Sequence, residues 1–277
     1  RTVGNGWNYV AIDCPTGQTT NAPNYTCGKN FTLHQNDFPV DIAQDYPFAR
    51  QDGALYNTYK SWAVTGSLEY ALDDITISSI TNYNWNNNKF ACDCDFLSAG
   101  VWATENASYH AFSQELRLLT DFDSPVNLMV GALYQKTRRD FFQAVMFANL
   151  EDSTASASNR YVAYSKDSRT NGETLSGYGQ LMWQITPTLE ATGGVRYIHE
   201  TKDSNFTQPY VNAALQALFT PESAAVNGTI FGNQTFNDWS PDFTLRWKPT
   251  DDIMLYGAYR VAYKSGGFSN SAINSAL

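Results

Sequence analysis

The sequence predicts an all-β fold, in which about eight strands form part of an antiparallel transmembrane β-barrel with long extracellular loops. Apolar and polar residues alternate over stretches of about ten to twelve residues, whereas soluble strands usually have about five or six. Short turns alternate with long connections, and aromatic rings lie near the ends of the alternating stretches. Since a barrel strand needs about 9–11 residues to span a bilayer, these three observations together are typical of outer-membrane barrels.

The composition agrees with this prediction and disfavours other classes. Aromatic residues make up 14% of the 277 residues and charged residues 16%, whereas disordered chains show the opposite balance. The formal net charge of −9 argues against a nucleic-acid partner, because that surface would be basic. No stretch approaches the roughly 18 apolar residues of a spanning helix. The chain opens with RTVGNG and closes with SNSAINSAL, so we expect it to be a portion of a longer protein.

The first half of the chain contains a long loop and two predicted hairpins. Residues 1–60 are predicted to form a loop. The first hairpin, at about residues 61–85, joins SWAVTGSLEYAL to ITISSITNYNW through the turn Asp73-Asp74. The second, at about residues 110–136, joins HAFSQELRLL to VNLMVGALYQK through DFDSP. In each strand every second residue is apolar, which is the signal of a strand with one buried or lipid-facing side.

The second half repeats the same design. The third hairpin, at about residues 175–200, joins LSGYGQLMWQI to TLEATGGVRYIHE. The fourth, at about residues 237–264, joins NDWSPDFTLRWK to IMLYGAYRVAYK through PTDD. Long loops are predicted between the hairpins, at residues 86–109, 138–174 and 201–236. The stretch PYVNAALQALF within the last loop has helical spacing and predicts a short helix.

The charged residues indicate which side of each strand lines the lumen. An Arg or Lys on the lipid face near the midplane costs about 2–4 kcal/mol, so the charged register is assigned to the lumen. The lumen-facing residues predicted in this way are Glu115, Arg117, Glu190, Arg196, Arg246 and Arg260. Because acids and bases alternate among them, we interpret them as mutually neutralising and not as acid–base catalysts. An antiparallel sheet with one wet face, as in a soluble β protein, is the alternative.

Ligand capture is predicted for the long loops and the upper lumen. Arginines next to aromatic rings suit an anionic or catecholate ferric chelate. The candidate ligand-binding residues are Arg138, Arg139, Phe141, Phe142, Tyr161 and Tyr164. No nucleophile–base motif is present, and no catalytic residue is predicted.

The four cysteines are candidates for disulfide bonds. Cys14, Cys27, Cys92 and Cys94 all lie in polar segments. Four cysteines allow three pairings, which the sequence does not separate. A metal site on Cys-Asp-Cys is disfavoured, because no histidine lies nearby and structural zinc needs four clustered ligands. No metal or cofactor is therefore predicted.

Three stretches carry a family resemblance. FSQELRLLTDF, GYGQLMWQITPTLEATGGVRYIHETKD and DWSPDFTLRWKPTDDIMLYGAYRVAYKSGGF resemble the barrel of TonB-dependent outer-membrane receptors, especially the iron–siderophore-type receptors of sphingomonad-like proteobacteria. The resemblance covers roughly residues 56–270. It implies a 22-stranded barrel with an N-terminal plug domain, which is absent from this chain.

The resemblance also implies a function and partners. It implies energy-coupled uptake of a scarce ligand, a ferric siderophore above all, by a receptor in the outer-membrane lipid. The TonB–ExbB–ExbD complex would act through the missing plug region. A passive channel or a small structural barrel is the alternative, because eight strands can close on themselves.

Overall fold

The computed structural model describes residues 2–4, 32–94, 100–147, 150–218 and 229–268. Two short strands, β1 (Thr2–Gly4) and β2 (Thr32–His34), pair with each other. They are followed by one helical turn, α1 (Val40–Ala43). Among the described residues no helix is long and apolar enough to cross a bilayer. The candidate disulfide residues Cys14 and Cys27 lie outside the described residues.

Eight further strands form one antiparallel sheet, in which each strand pairs with the next along the chain. This arrangement confirms the predicted eight-stranded antiparallel fold. The strands are β3 (Tyr56–Leu72), β4 (Ile75–Asp93), β5 (Val101–Thr120), β6 (Val126–Phe147), β7 (Tyr164–Thr186), β8 (Leu189–Thr207), β9 (Thr229–Thr250) and β10 (Ile253–Arg260).

Most strands are much longer than the alternation predicted. The predicted loops at 86–109, 138–174 and 201–236 consist largely of strand, and β3 begins at Tyr56. The prediction was wrong there because most of these extensions are polar on both faces, whereas the β6 extension FFQAVMF is largely apolar on both. Neither pattern shows the alternation of apolar and polar residues that marks a strand, although the backbones stay paired. Of the residues that the structure describes in these regions, 94, 100, 150–163 and 208–218 lie outside the strands. The predicted short helix lies in the last of them, as the 3₁₀ helix Ala213–Leu218.

The last strand is shorter than predicted. β10 ends at Arg260 and does not continue to residue 264. Val261 still donates its N–H to the carbonyl of Pro241 on β9 (3.0 Å). Farther on, Ser265 and Gly266 accept hydrogen bonds from Nζ of Lys202 on β8, at 2.6 and 2.8 Å. This bonding to β8 replaces the continued pairing with β9 that the alternation had indicated.

Short turns join the strands at one end of the sheet, called the turn end, and the longer connections lie at the opposite, loop end. Residues 73–74, 121–125, 187–188 and 251–252 form the short turns. Asp73 has a φ of 43°, in the left-handed region that tight hairpin turns of the primed types require. Three of these turns have two residues, and such tight turns hold the ends of the two strands they join in register.

The two faces of the sheet differ in chemistry over the half near the turn end. The outer face carries exposed apolar side chains, for example Leu68 (72% exposed) and Leu116 (55%). The inner face carries the charged register, and all six predicted lumen residues lie on it. Apolar side chains that remain in water forfeit about 25 cal/mol per Å². A bilayer removes this cost for the whole outer face at once.

Aromatic rings on the outer face lie at two heights. Near the turns are Tyr70, Trp183 and Trp247, and a second band lies about eight residues farther along β3 and β9, at Trp62 and Trp239. The second band consists of Trp62, Tyr83, Trp85, His110, Tyr134, Tyr197, His199 and Trp239. Several of its members contact one another: Tyr197 and Trp239 at 4.7 Å between ring centroids, and Trp62 and Tyr83 at 5.3 Å. The spacing of the two bands matches the roughly 25 Å apolar height of a membrane barrel.

The hydrogen-bonded register is staggered across the sheet. One row of directly opposed residues runs through Tyr70, Ile77, Leu118, Val130, Gly179, Val195 and Pro241. It starts about two residues from the turn in β3 and reaches about nine residues from the turn in β9. This climb of about one residue per strand corresponds to a strand tilt of about 40°, in the range of closed barrels.

At the loop end the outer face is covered by residues 35–55. Phe38, Ala43, Tyr46 and Leu55 from this segment pack on Trp102 of β5 and on neighbouring outer-face residues. The indole Nε1 of Trp102 donates to the carbonyl of Asn36 (3.1 Å). The segment therefore forms a small apolar core on the outside of the strand extensions.

The connections cover the inner face at the same end. Ala103, Val145 and Tyr164 pack there with Ala163 and Val211. Two connections are joined directly, because the hydroxyl of Tyr210 donates to Asp152 (2.7 Å). The loop end is thus packed on both faces, whereas the turn half has one apolar face that nothing in the described residues covers.

Candidate functional site

The inner face carries a polar network at mid-height, built around Tyr178 on β7. Its hydroxyl donates to the Glu115 carboxylate and accepts a hydrogen bond from Nε of Arg117 (3.3 Å). Glu115 and Arg117 are also paired directly (3.1 Å). Beside them Arg196 donates to Oγ of Ser176 (2.8 Å) and lies over the Tyr178 ring at 5.9 Å. The network therefore links three strands of two adjacent hairpins, β5–β6 and β7–β8, through one phenol.

A second set of charges lies on the same face of β8, β9 and β10. Arg246 on β9 forms an ion pair with Glu190 on β8. Arg260 lies opposite Asp242 in the register of β10 and β9. All these cations therefore lie on the face opposite the apolar one, and each is placed next to an acid or a hydroxyl.

Glycine makes room for these groups. A Cβ at Gly131 would overlap the Tyr178 ring, and a Cβ at Gly194 would lie 2.5 Å from a carboxylate oxygen of Asp242. Real Cβ atoms do not approach neighbours so closely, so a side chain at either position would displace the polar group above it. The small residues on one strand thus set the position of the large residue on the next.

The six predicted ligand-binding residues do not form one surface. Arg138, Arg139, Phe141 and Phe142 belong to β6 and not to a loop, which corrects the prediction. Arg138 and Phe142 lie on the outer face, whereas Arg139 and Phe141 lie on the inner face. The reason is elementary, since successive residues of a strand point to opposite sides.

The two outer-face residues have partners there. Arg138 forms an ion pair with Asp140 (2.8 Å), and Asp140 also pairs with Arg169 (2.6 Å). The ring of Phe142 contacts that of Phe48 at 5.3 Å. Both residues therefore belong to the outside of the loop end, away from the inner wall.

The inner-face residues form a distinct group, here called the upper wall: Glu105, Tyr109, Arg139, Phe141, Gln143, Tyr164 and Lys166. Arg139 is exposed, lies over the buried ring of Phe141 at 5.4 Å, and faces Tyr109 across the β5–β6 register. Tyr164 is buried beneath the connections, and Tyr161 lies in the connection before β7. Of the six predicted residues, Arg139 is the exposed inner-face cation that a dissolved anion can reach.

A transverse row of polar side chains crosses the upper wall below the connections. Nε2 of Gln143 lies 3.5 Å from Glu105, and Lys166 is opposite Gln143 in the register. Burial raises the pKa of Glu105, against the opposing effect of Arg139 and neighbouring donors. Burial lowers the pKa of Lys166 to about 8, and the nearby Glu105 only partly opposes this. Burial therefore favours the uncharged forms of both Glu105 and Lys166, compared with the same groups in water.

Several of these residues were missed by the sequence analysis: Glu105, Tyr109, Gln143, Lys166 and Tyr178. Glu105 and Tyr109 continue the odd-numbered register of Glu115 and Arg117 on the same strand. Extending the period-two count beyond the last apolar residue would have placed both on the inner face. For Lys166 no such signal existed, because its burial depends on the connections that fold over it.

Cys92 and Cys94 are joined by a disulfide bond at the loop end of β4. Asp93 between them is buried and accepts a hydrogen bond from the Asn36 N–H (2.9 Å). The bond therefore lies where the covering segment 35–55 begins to pack on the sheet.

Comparison with known proteins gives one matching family model. It is described as "TonB dependent receptor-like, beta-barrel" and matches residues 3–276. The pesticin receptor of Yersinia enterocolitica is 26% identical over 156 residues, which cover 56% of this chain and 20% of that protein.

Solved structures share the fold. The ferric yersiniabactin uptake receptor FyuA from Yersinia pestis superposes with a TM-score of 0.58 at 19% identity, covering 74% of this chain and 28% of that one. The ferric-catecholate import receptor Fiu from E. coli K12 gives 0.56 at 15% identity, covering 76% and 37%. The siderophore receptor PiuA from Acinetobacter baumannii gives 0.55 at 17%, covering 74% and 32%. The chain thus spans about a fifth to just over a third of the length of these proteins.

Proposed function

This chain belongs to the family of TonB-dependent receptor-like β-barrels, and from that membership we propose that it forms part of an outer-membrane receptor for a ferric siderophore. Members of this family are transport receptors and not enzymes, they reside in the outer membrane, and they work with TonB. Structural neighbours include siderophore receptors. We assign no catalytic role to any residue of the chain.

The exposed Arg139 on the upper wall is the observation that supports ligand binding. It lies over Phe141 at 5.4 Å and opposite Tyr109, so a cation and an aromatic edge face the same space. A ferric siderophore presents anionic oxygens and often aromatic rings, and both groups suit such a surface. The ligand would enter from the loop end and meet Arg139 before the mid-height network.

The remaining partners follow from the same proposal. The outer face contacts the lipid of the outer membrane, and neighbouring strands complete a barrel of about 22 strands. A plug domain fills the lumen and rests on the inner-face network around Tyr178. The TonB–ExbB–ExbD complex pulls on this plug to admit the ligand.

Adjacent arginines on β6 provide a matched test in the receptor that contains this chain. We expect Arg139→Glu to weaken binding of a ferric siderophore by about tenfold or more, because it replaces an attractive charge with a repulsive one. Arg138→Glu makes the same change on the outer face and should leave binding near wild type. Binding and uptake of ⁵⁵Fe-loaded catecholate, phenolate and hydroxamate siderophores are measured in iron-limited cells. Equal effects of the two variants, or uptake of none of the three classes, would overturn the assignment.

The alternative is a passive channel or a small closed barrel. A closed barrel of eight strands requires β3 to pair with β10, and within the described residues their partners are β4 and β9. Removing TonB from the cell distinguishes a receptor from a passive channel, because receptor-mediated uptake stops while passive diffusion continues.

A further inference from the structure

A groove lies on the outer face of β7, β8 and β9, near the loop end. It has a volume of about 410 Å³. The side chains that line it on the outer face are Arg169, Asn171, Asp203, Asn205, Phe231 and Asn233. It belongs to neither polar group of the inner wall, so a solute that travels through the lumen does not meet it.

The height of the groove places it above the acyl chains. On β8 the outer aromatic band is reached at Tyr197 and His199, and Asp203 and Asn205 lie four to six residues farther on. On β9 the same band lies at Trp239, and Phe231 is eight residues beyond it. With about 3.3 Å per residue and a tilt of about 40°, the groove lies about 10–20 Å above the apolar band. Sugars of outer-leaflet glycolipids stand at this height, beside the outer wall.

The side chains of the groove suit a saccharide. Phe231 is 77% exposed, so it offers an open ring face on which the C–H face of a pyranose can stack. Asparagine amides both donate and accept hydrogen bonds, as sugar hydroxyls do. Asp203 adds an acceptor and Arg169 adds donors in a planar array.

Neighbouring groups hold these side chains in place. The amide of Asn233 donates to Asp203 (2.5 Å), and the N–H of Arg169 donates to the side-chain oxygen of Asn205 (3.0 Å). Nε of Arg169 pairs with Asp140 (2.6 Å). The hydrogen bond to Asn205 uses the oxygen of its side-chain amide and not the NH₂ group. An arrangement already held by such bonds loses less entropy when a ligand arrives.

We propose that this groove binds the saccharide portion of an outer-leaflet glycolipid. The site rests on the outer-membrane orientation of the sheet and not on the identity of the transported ligand. Its occupant is a lipid of the same leaflet, because the groove opens sideways, toward the membrane's own headgroups.

The experiment uses the complete receptor, purified from its own outer membrane and transferred to nanodiscs that contain phospholipid with or without the native outer-membrane glycolipid. Bound glycolipid is counted by native mass spectrometry. We expect Phe231→Ala and Asp203→Ala each to reduce it by about tenfold. The matched control is Phe236→Ala, which removes a ring from the inner face of the same strand and should leave glycolipid binding unchanged.

Two further measurements define the outcomes. The delipidated saccharide should compete with the glycolipid, and Phe231→Ala should keep normal siderophore uptake and a folded barrel. Glycolipid that stays bound in both groove variants, or competes with no free saccharide, contradicts the proposal. A receptor that binds free saccharide but no glycolipid also contradicts the proposal, because the saccharide in the groove would then not come from a membrane lipid. A receptor that takes up no siderophore but binds the glycolipid would contradict the proposed function and would still support the saccharide site.

Discussion

Lys166 shows how one residue depends on the packing of distant segments. It is 1% exposed on the inner face, and its ammonium lies 5.4 Å from the Tyr164 ring. Burial disfavours the charged form and lowers the pKa of Lys166 to about 8. A lysine with a lowered pKa works against folding at neutral pH, so the upper wall is less stable there than its contacts alone would make it.

The stability of this region should therefore rise with pH. Between about pH 8 and the ordinary lysine pKa of 10.5, the unfolded chain holds a proton that the folded chain has lost. Stability increases with pH wherever the unfolded state binds more protons. Hydrogen exchange of β7 residues 164–174, corrected for intrinsic rates, should slow from pH 7 to pH 9.5. Lys166→Met should abolish this dependence, and a profile identical to wild type would contradict the assignment.

At the scale of elements, the segment 35–55 is held to the sheet by a few large side chains. Trp102 contacts Phe38 at 5.9 Å between ring centroids, and Phe38 contacts Tyr46 at 5.3 Å. The segment has little secondary structure of its own, apart from one helical turn. Its position therefore depends on burial against β4, β5 and β6.

Trp102→Ala should release this segment while leaving the barrel wall intact. Removing a buried Trp side chain costs about 3–5 kcal/mol of packing free energy. The few remaining side chains of the small outer core do not replace this contribution. Limited proteolysis of intact cells should then cut within residues 35–55 at a rate well above wild type. Trp239→Ala removes an indole that is 62% exposed on the same face and serves as the control. If both variants are cut at the same rate, Trp102 does not anchor the segment.

The sequence predicted the membrane half of each element and missed the rest for a physical reason. Within the bilayer one face must be apolar, so the alternation of Leu116 and Leu118 with Glu115 and Arg117 marks β5 clearly. Above the bilayer both faces meet water or loops, and the run Asn86, Asn87 and Asn88 on β4 has the composition of a loop. Its backbone pairs with β5 nevertheless.

The same difference between the membrane half of a strand and its extension separates the site residues that were predicted correctly from those that were not. The arginines Arg117, Arg196 and Arg246 were predicted on one face, opposite the apolar one, and the strand register places all three on that face. In contrast, Arg138 and Arg139 were treated as one surface because β6 was expected to end before them. Once β6 continues to Phe147, their opposite orientations follow without further information.

At the scale of the whole molecule, the contrast between the two faces can be tested on one strand. Leu181 on β7 lies on the outer face, two residues above Trp183 of the lower aromatic band, and Gln180 beside it lies on the inner face. An arginine on the lipid face costs about 2–4 kcal/mol at the midplane and less toward the interfaces, so Leu181→Arg should cost about 1–3 kcal/mol when the barrel inserts. Gln180→Arg places the same charge in the wet lumen. The yield of folded, protease-resistant receptor in the outer membrane should fall only for Leu181→Arg. Equal yields would show that the faces are assigned incorrectly.

The sheet also has two edges. In the described residues β3 and β10 each pair with one neighbour. Because unpaired N–H and C=O groups are not tolerated within a bilayer, the proposed membrane location requires further strands to pair with both edges. This requirement agrees with the greater length of the related receptors, of which this chain covers 20–37%.

The stagger of the register has a mechanical consequence. A strand such as β7, with 23 residues, is about 75 Å long, and a lean of about 40° displaces its two ends sideways by about 50 Å. That is roughly the width of eight neighbouring strands measured around the wall. The loop and the turn of one hairpin therefore stand over different sectors of the circumference. A force applied to one end of a strand and directed along it therefore reaches the opposite rim in a different sector of the wall.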